Sequence, residues 1–159
     1  MENITNLFLY GNHELTFDEK FRLTMPIEIR DSLDIERDGN AFFVVDGVNL
    51  RLWLWPDKTY RQMVSRLSSE MAPGNEKLEF ELWNFGSADR QEMDKQNRIR
   101  VPDKRIKEAG LSKEITLVGV RDHLEIWPRP EWALYTKMLR ARGPEIAMRA
   151  RQAEMDRKI

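Results

Sequence analysis

Hydrophobic and polar residues alternate in short runs over much of the chain, which is the pattern of half-buried β-strands. The clearest runs are residues 14–17, 22–25, 115–118 and 124–127. The pair Asp46-Gly47 follows another apolar run and is typical of a hairpin turn. The pattern predicts a β-rich chain built from hairpins.

In the middle of the chain, the apolar residues have the spacing of an α-helix. Apolar residues from Tyr60 to Leu67 recur every three or four positions, which predicts a helix that ends before Pro73. Residues 76–85 fit either a strand or a helix. We favour the helix because Asn75 can cap its first turn.

Two more helices are predicted near the C-terminus. Pro130 suits the first turn of a helix that would bury Trp132, Tyr135 and Leu139. The last segment, residues 145–158, reads as an arginine-rich helix with a weak apolar stripe. Acidic residues interleave with the basic ones there, which favours a solvated helix over an arm that contacts DNA or another subunit.

One segment of the chain is duplicated. Residues 18–26 recur as residues 94–102, and the Asp, Arg and Pro of the segment return at one constant offset of 76 positions. The six repeated residues are Asp18, Arg22, Pro26, Asp94, Arg98 and Pro102. Each copy continues through a short helix opened by the proline to two further strands. Each copy therefore reads as strand–strand–helix–strand–strand.

A module of roughly 45 residues is close to the lower size limit for independent folding. We therefore expect an α+β, β-rich fold in which two tandem modules share one barrel-like core as a pseudo-dimer, with peripheral helices and a C-terminal helix. The expected segments are module 1 at residues 9–56, a helical connector at 57–86, module 2 at 87–132, and a basic helical tail at 133–159.

Composition excludes several functions. The 159 residues include no cysteine and only two histidines, so thiolate zinc sites and histidine-rich metal sites are not expected. Phosphate-binding glycine loops and nucleophile motifs are missing, which argues against an enzyme, a cofactor or a small-molecule substrate. No apolar run is long enough to span a membrane, and no secretory signal is recognisable. A cytoplasmic protein is expected.

Charge is unevenly distributed. The net charge of −1 gives no overall attraction for nucleic acid, but residues 90–107 carry a net +4 while the matching residues 14–31 carry a net −2. We therefore expect copy two to be the stronger DNA-binding face. Its candidate phosphate contacts are Arg98, Arg100, Lys104 and Arg105.

The repeated Asp-x-x-x-Arg turn has two interpretations. Asp18 and Asp94 can accept hydrogen bonds from turn N–H groups and pair with the following arginine, which is a purely structural role. Alternatively, an exposed guanidinium at the start of a strand can reach phosphate oxygens or guanine edges. The second interpretation adds Arg22 and the nearby Lys20 to the candidate DNA contacts.

These features resemble the MraZ family of bacterial transcriptional regulators, which are built from two SpoVT-AbrB-type modules. The resemblance rests on Asp-x-x-x-Arg-x-x-x-Pro in both copies, on residues 109–114 and 117–119, and on residues 124–127 with Trp132. It implies ring-shaped homo-oligomers that bind short direct repeats in double-stranded promoter DNA, near the division and cell-wall gene cluster. It also implies association with the nucleoid and places the signature arginines at Arg22 and Arg98.

The turns depart from the family pattern at one position. The residue before each signature arginine is usually glycine, whereas this chain has Phe21 and Asn97. Asparagine tolerates a positive φ, but phenylalanine does so only at a cost. We expect that the first turn has another geometry or that the Phe21 ring points outward, where burial against a neighbouring subunit is favoured over base stacking.

Two alternatives to a DNA-binding regulator remain open. With both turn glycines replaced and an acidic body, the chain could be an oligomeric scaffold that has lost operator binding. An antitoxin-like module is a third possibility, against which the tandem duplication argues. Trp53, Trp55 and Trp127 are expected to pack in the core or between subunits. His13 and His123 are expected to be ordinary half-buried residues.

Overall fold

The computed structural model describes residues 6–158, which form two units divided after Pro128. None of the helices within this range has the length and apolar composition that crossing a bilayer requires. The strands of the first unit are β1 (Asn12–Thr16), β2 (Arg22–Thr24), β3 (Ala41–Asp46), β4 (Leu52–Pro56), β5 (Asp89–Glu92), β6 (Arg98–Arg100), β7 (Glu114–Val120) and β8 (His123–Pro128). Its helices are α1 (Ile27–Ser32), α2 (Ile35–Asp38), α3 (Asp57–Ser65), α4 (Asn75–Asn84) and α5 (Asp103–Glu108).

The two copies of the repeat exchange strands. The main sheet is antiparallel with the order β1-β7-β8-β4-β3-β5, so β1 of copy one pairs with β7 of copy two. Reciprocally, β5 of copy two pairs with β3 of copy one. The β4–β8 pairing joins the two hairpins at the centre of the sheet. Each copy therefore completes its sheet only with a strand of the other.

The remaining strands, β2 and β6, form a separate two-stranded antiparallel ribbon. Its central pair, Leu23 and Ile99, is fully buried in the main core. The main core contains residues of both copies, which are Leu7, Leu9, Phe17, Leu23, Met25, Ile29, Phe42, Val44, Leu52, Leu54, Ile99, Val101, Ile106, Ile115, Leu117, Leu124 and Ile126. One hydrophobic core thus serves both copies.

The predicted α+β, β-rich fold is confirmed, with one difference in how the sheet closes. Strands β1 and β5 stand at the two ends of the strand order, so the described strands do not form a closed barrel. The helix predicted at residues 76–85 is confirmed and covers residues 75–84, but the N-cap is Gly74 and not Asn75, and no side chain caps the first turn. Helix α5 ends where expected, before Gly110 with its φ of +65°. Pro26 and Pro102 occupy the N-cap positions, directly before the first helical residues.

The second unit consists of helices α6 (Arg129–Ala141) and α7 (Gly143–Arg157). Neither helix contains a buried residue, and Tyr135 is exposed, contrary to the prediction that it is buried. Helix α7 carries intrahelical ion pairs such as Arg149 Nη2 to Glu145 Oε1 at 2.9 Å. This pattern agrees with a solvated charged helix.

His123 is buried, not half-buried as predicted, and is held by a polar cluster in the main sheet. Its ring stacks on Trp53 at a centroid distance of 4.0 Å and lies 4.7 Å from Trp55. Nδ1 lies 2.9 Å from Asp122 Oδ1, and Nε2 lies 2.9 Å from Glu125 Oε2. Because Trp53 and Trp55 belong to β4 and His123 to β8, the cluster stabilises the pairing that joins the two copies.

The other expectations for histidine and tryptophan hold in the first unit. His13 is half-buried in β1. Trp55 and Trp127 are buried, and Trp127 Nε1 donates a hydrogen bond of 3.0 Å to Glu125 Oε1. The aromatic residues of the strands therefore contribute to packing within the chain.

We expect the free energy of unfolding to fall as the pH rises through neutrality. Burial disfavours the charged imidazole, but the hydrogen bonds to Asp122 and Glu125 outweigh it and raise the pKa of His123 above its ordinary 6.5. A group with a raised pKa in the folded state stabilises the fold below its unfolded pKa, and this contribution is lost as the pH passes the folded pKa. Urea titrations between pH 5.5 and 9 measure this loss.

The variant His123→Gln should flatten this pH dependence, whereas the control His13→Gln should preserve it. An unchanged slope in His123→Gln would show that the charged imidazole does not stabilise the fold.

Candidate nucleic-acid interface

The turn between β1 and β2 is organised by the carboxylate of Asp18. Oδ1 accepts hydrogen bonds of 2.9 Å from the backbone N–H groups of both Lys20 and Arg22. Oδ2 accepts a 2.7 Å hydrogen bond from Arg22 Nε. The Phe21 N–H donates to the Asp18 carbonyl at 3.0 Å, which closes the turn.

The turn between β5 and β6 repeats this arrangement. Asp94 Oδ1 accepts hydrogen bonds of 2.9 Å from the N–H groups of Gln96 and Arg98. Oδ2 accepts from Arg98 Nε at 2.8 Å, and the Asn97 N–H donates to the Asp94 carbonyl at 3.0 Å. Both aspartates therefore have the structural role, and each one also orients an arginine.

The residue before each arginine adopts the left-handed backbone region, with φ of +56° at Phe21 and +61° at Asn97. The expectation of a different first turn is therefore wrong. The expectation of an outward ring is also wrong, because Phe21 is half-buried and packs edge-on against Phe17 at a centroid distance of 6.1 Å. The contact with Phe17 compensates for the strain of a positive φ in a non-glycine residue.

The two aspartates are held in their charged form. The backbone N–H of the arginine four residues on is the largest influence, and it lowers the pKa of Asp18 and of Asp94 below the ordinary 3.8. The side chains of Arg22 and Arg98 are 27% and 26% exposed. Their Nε groups are engaged, whereas their Nη groups have no hydrogen-bond partner within residues 6–158. Each guanidinium is thus fixed by the aspartate through its Nε, and its Nη groups are available to bind a ligand.

The ribbon of β2 and β6 brings these arginines onto one face. Its register pairs Arg22 with Arg100 and Thr24 with Arg98. Side chains alternate along a strand, so these four residues lie on the face opposite the buried central pair. We call this set the outer face of the ribbon. It contains three guanidinium groups and one hydroxyl.

The outer face places two positive charges directly across from each other. Like charges at opposed positions of a β-ladder destabilise the pairing. Arg22 is neutralised by Asp18, but Arg100 is 61% exposed and its closest carboxylate, on Asp103, is 3.9 Å away. Arg100 is therefore the less neutralised charge of this pair and is accessible to an anion over the face.

The remaining predicted contacts differ in accessibility. Lys20 is exposed at the tip of the first turn, and the Lys104 side chain is 85% exposed on α5. Arg105 is buried, and its guanidinium lies 3.5 Å from Asp46 and 3.6 Å from Asp89. The prediction that Arg105 contacts DNA is therefore wrong. It is a structural residue that bridges β3 of copy one and β5 of copy two.

Two features of this surface were missed from the sequence. Thr24 is not among the predicted contacts, although the alternation of Arg22, Leu23 and Thr24 places it beside Arg22 on the polar face of the strand. The burial of Arg105 could also be predicted from the sequence, because Arg105 follows Pro102 by three residues and precedes Ala109 by four. That spacing puts it on the inward stripe of α5.

The fold and this surface define a class of protein: a duplicated β-module whose halves exchange strands and present paired arginine turns on one ribbon. A family model described as "MraZ protein, putative antitoxin-like" matches residues 8–80 and 84–156, one match for each copy. The chain belongs to the MraZ family.

Several relatives are similar over most of their length, and each is named transcriptional regulator MraZ. The Heliobacterium modesticaldum protein is 29% identical over 86% of this chain and 92% of its own. The Thermomicrobium roseum protein is 30% identical over 87% and 94%, and the Lachnoclostridium phytofermentans protein is 33% identical over 77% and 82%. Transcriptional regulation is a non-enzymatic function, in agreement with the prediction that the chain is not an enzyme.

We expect Phe21→Gly to be more stable than Phe21→Ala by about 1 kcal/mol in free energy of unfolding. Both variants lose the contact with Phe17, but only alanine keeps the penalty of a side chain at positive φ. Urea denaturation of the two variants measures the difference.

The same pair of substitutions at Asn97 serves as the control and should rank in the same order. A Phe21→Ala variant as stable as Phe21→Gly would contradict the left-handed conformation, because glycine at a negative φ is the less stable of the two.

Proposed function

We propose that this chain is a sequence-specific DNA-binding transcriptional regulator that contacts duplex DNA through the outer face of the ribbon. One observation carries the proposal: the same aspartate-held arginine turn is built twice, and both arginines reach one face with their Nη groups available. The names of the relatives support the same class of function.

The dimensions of a two-stranded ribbon suit the major groove, which is about 12 Å wide and admits a β-ribbon or a helix. Arg22 and Arg98 are oriented by their aspartates, so they lose little conformational freedom on binding and are the candidate readers of guanine edges. Arg100, Lys20 and Lys104 are more exposed and provide charge for the phosphates.

Copy two is the stronger half of this interface in our proposal. Arg98 and Arg100 both belong to β6, whereas β2 contributes Arg22 and the uncharged Thr24. Lys104 of α5 is matched in copy one by the acidic and exposed Glu28. The charge difference seen in the sequence is therefore present on the surface as well.

We also propose that the chain acts as a homo-oligomer, in the form of a ring, on short direct repeats near the division and cell-wall gene cluster, and that it associates with the nucleoid. Linked sites bind at high effective concentration, so weak single contacts would add up to tight binding. Helix α4 supports self-association, because none of its residues is buried. Its exposed large apolar residues are Leu78, Phe80, Leu82 and Trp83.

The scaffold alternative rests on the acidic body of the chain and on the replacement of the turn glycines. Both turns keep the full set of hydrogen bonds and the left-handed residue, so the replacement of the glycines no longer favours it. The antitoxin-like alternative has the wording of the family description in its favour. A toxin-neutralising function predicts a protein partner, which the proposed regulator does not require.

We expect Arg98→Ala to weaken binding to a duplex from the chain's own upstream region by about 10- to 100-fold, because a lost arginine contact to a base costs that much. Fluorescence anisotropy against the native and a scrambled duplex, at two salt concentrations, measures it. The wild type should prefer the native duplex, and its affinity should fall with salt.

Arg66→Ala is the matched control, since it removes an exposed arginine from the segment after α3 and should leave the affinity unchanged. Equal and weak binding of the wild type to both duplexes would refute the proposed regulator. Loss of binding in Arg22→Ala, with full affinity and an unchanged salt dependence in Arg98→Ala, would refute the leading role of copy two.

We expect Leu82→Glu to reduce the native mass of the protein, because a charge on the exposed apolar face of α4 opposes self-association. Leu82 is 63% exposed, so the substitution should leave the far-ultraviolet circular dichroism unchanged. Native mass spectrometry gives the subunit number directly, and Glu81→Gln on the same helix is the control. An oligomer of unchanged size in Leu82→Glu would exclude the α4 face as the subunit contact.

A further inference from the structure

The outer face of the ribbon is only partly symmetric. The offset of 76 positions relates Arg22 to Arg98 and Thr24 to Arg100. The first pair is chemically identical and is held by identical turns. The second pair differs in both size and charge. The ribbon register places one member of each pair on each strand, so the matched and the unmatched pairs form the two diagonals of the face.

A fully symmetric ribbon would have no preferred direction on DNA. Rotation by half a turn about an axis between Leu23 and Ile99 exchanges β2 with β6 and brings each arginine of the matched diagonal onto the other. A reader with such symmetry fits a site equally well in both directions, as the palindromic operators of symmetric dimers show. Only the unmatched diagonal distinguishes the two directions within the ribbon itself.

The chemistry of the unmatched diagonal is sufficient for this purpose. Arg100 offers an exposed guanidinium that can bind a phosphate or a guanine edge. Thr24 is exposed and offers a short, uncharged side chain, whose methyl group suits a thymine methyl and whose hydroxyl cannot supply the charge of a guanidinium. The two ends of the ribbon therefore favour contacts with different groups of the DNA.

We propose that Thr24 and Arg100 determine the direction in which each protomer lies on its DNA site. The inference rests on the proposed function and adds to it the residues that fix polarity. A protomer with a defined direction selects sites that all run the same way. Asymmetry within a single chain would therefore favour direct over inverted repeats in the recognised DNA.

Two substitutions remove the asymmetry in opposite ways. Thr24→Arg gives both diagonals two arginines, and Arg100→Thr gives the second diagonal two threonines. Thr24 is exposed, so an arginine there has room, and Thr24→Arg adds a contact instead of deleting one. Thr24→Ser keeps the short hydroxyl and is the matched control.

Direction can be read by site-directed cleavage. The chain has no cysteine, so Glu19→Cys, on the exposed tip of the first turn, gives a unique attachment point for an iron chelate that cuts nearby DNA. The probe is a duplex with one copy of a site selected from a random library by the wild-type protein. We expect cleavage on one side of the site, by about 10 to 1, for the parent and for Thr24→Ser.

In Thr24→Arg and in Arg100→Thr we expect the one-sided preference to fall severalfold, because the ribbon becomes symmetric and only differences outside it, such as Lys104 against Glu28, still distinguish the two directions. One-sided cleavage that persists in Thr24→Arg, at undiminished affinity, would overturn the inference and leave the proposed function intact. Failure of the wild type to select any site would overturn both. Circular dichroism of each variant verifies that the ribbon variants are folded.

Discussion

The exchange of strands between the two copies is the constraint on which the rest of the structure depends. Copy one provides β1 to copy two, and copy two returns β5, so neither copy has a complete sheet by itself. The core side chains of both copies then pack into one cluster, which is larger than a single module of roughly 45 residues, close to the lower size limit for independent folding, would form alone. The same exchange sets β2 beside β6. The ribbon that carries the arginines exists only because the copies are interlocked.

Within that frame, a carboxylate decides the local conformation of each turn. Asp18 uses both oxygens, one on two backbone N–H groups and one on the Arg22 guanidinium. These bonds hold Phe21 at a φ of +56°, which a phenylalanine seldom adopts. The turn therefore does not need the glycine that its family usually has. Structure and recognition are combined in one residue pair, because the aspartate that shapes the turn also orients the arginine.

The local turns were predictable from the sequence, whereas the pairing of distant strands and of distant charged residues was not. The constant offset between Asp18 and Asp94 revealed two equivalent turns, since turn chemistry is encoded within a few residues. The pairing of β1 with β7 joins residues about a hundred positions apart, and no local pattern specifies it. Arg105 was misplaced for a related reason. Its charge suggests an exposed position on the surface. In the fold, however, the carboxylates of Asp46 and Asp89 lie close to its guanidinium and stabilise it in a buried position.

The stacking of His123 on Trp53, with Trp55 beside it, has an optical consequence. A protonated imidazole in contact with an excited indole accepts electron density from it and quenches its emission. Below the pKa of His123, Trp53 and Trp55 should therefore fluoresce weakly in the folded chain and more strongly once β4 and β8 separate. The tryptophans of β4 are therefore an intrinsic probe of the β4–β8 pairing between the two copies. Separation of these strands can be followed in real time by tryptophan fluorescence, without any added dye.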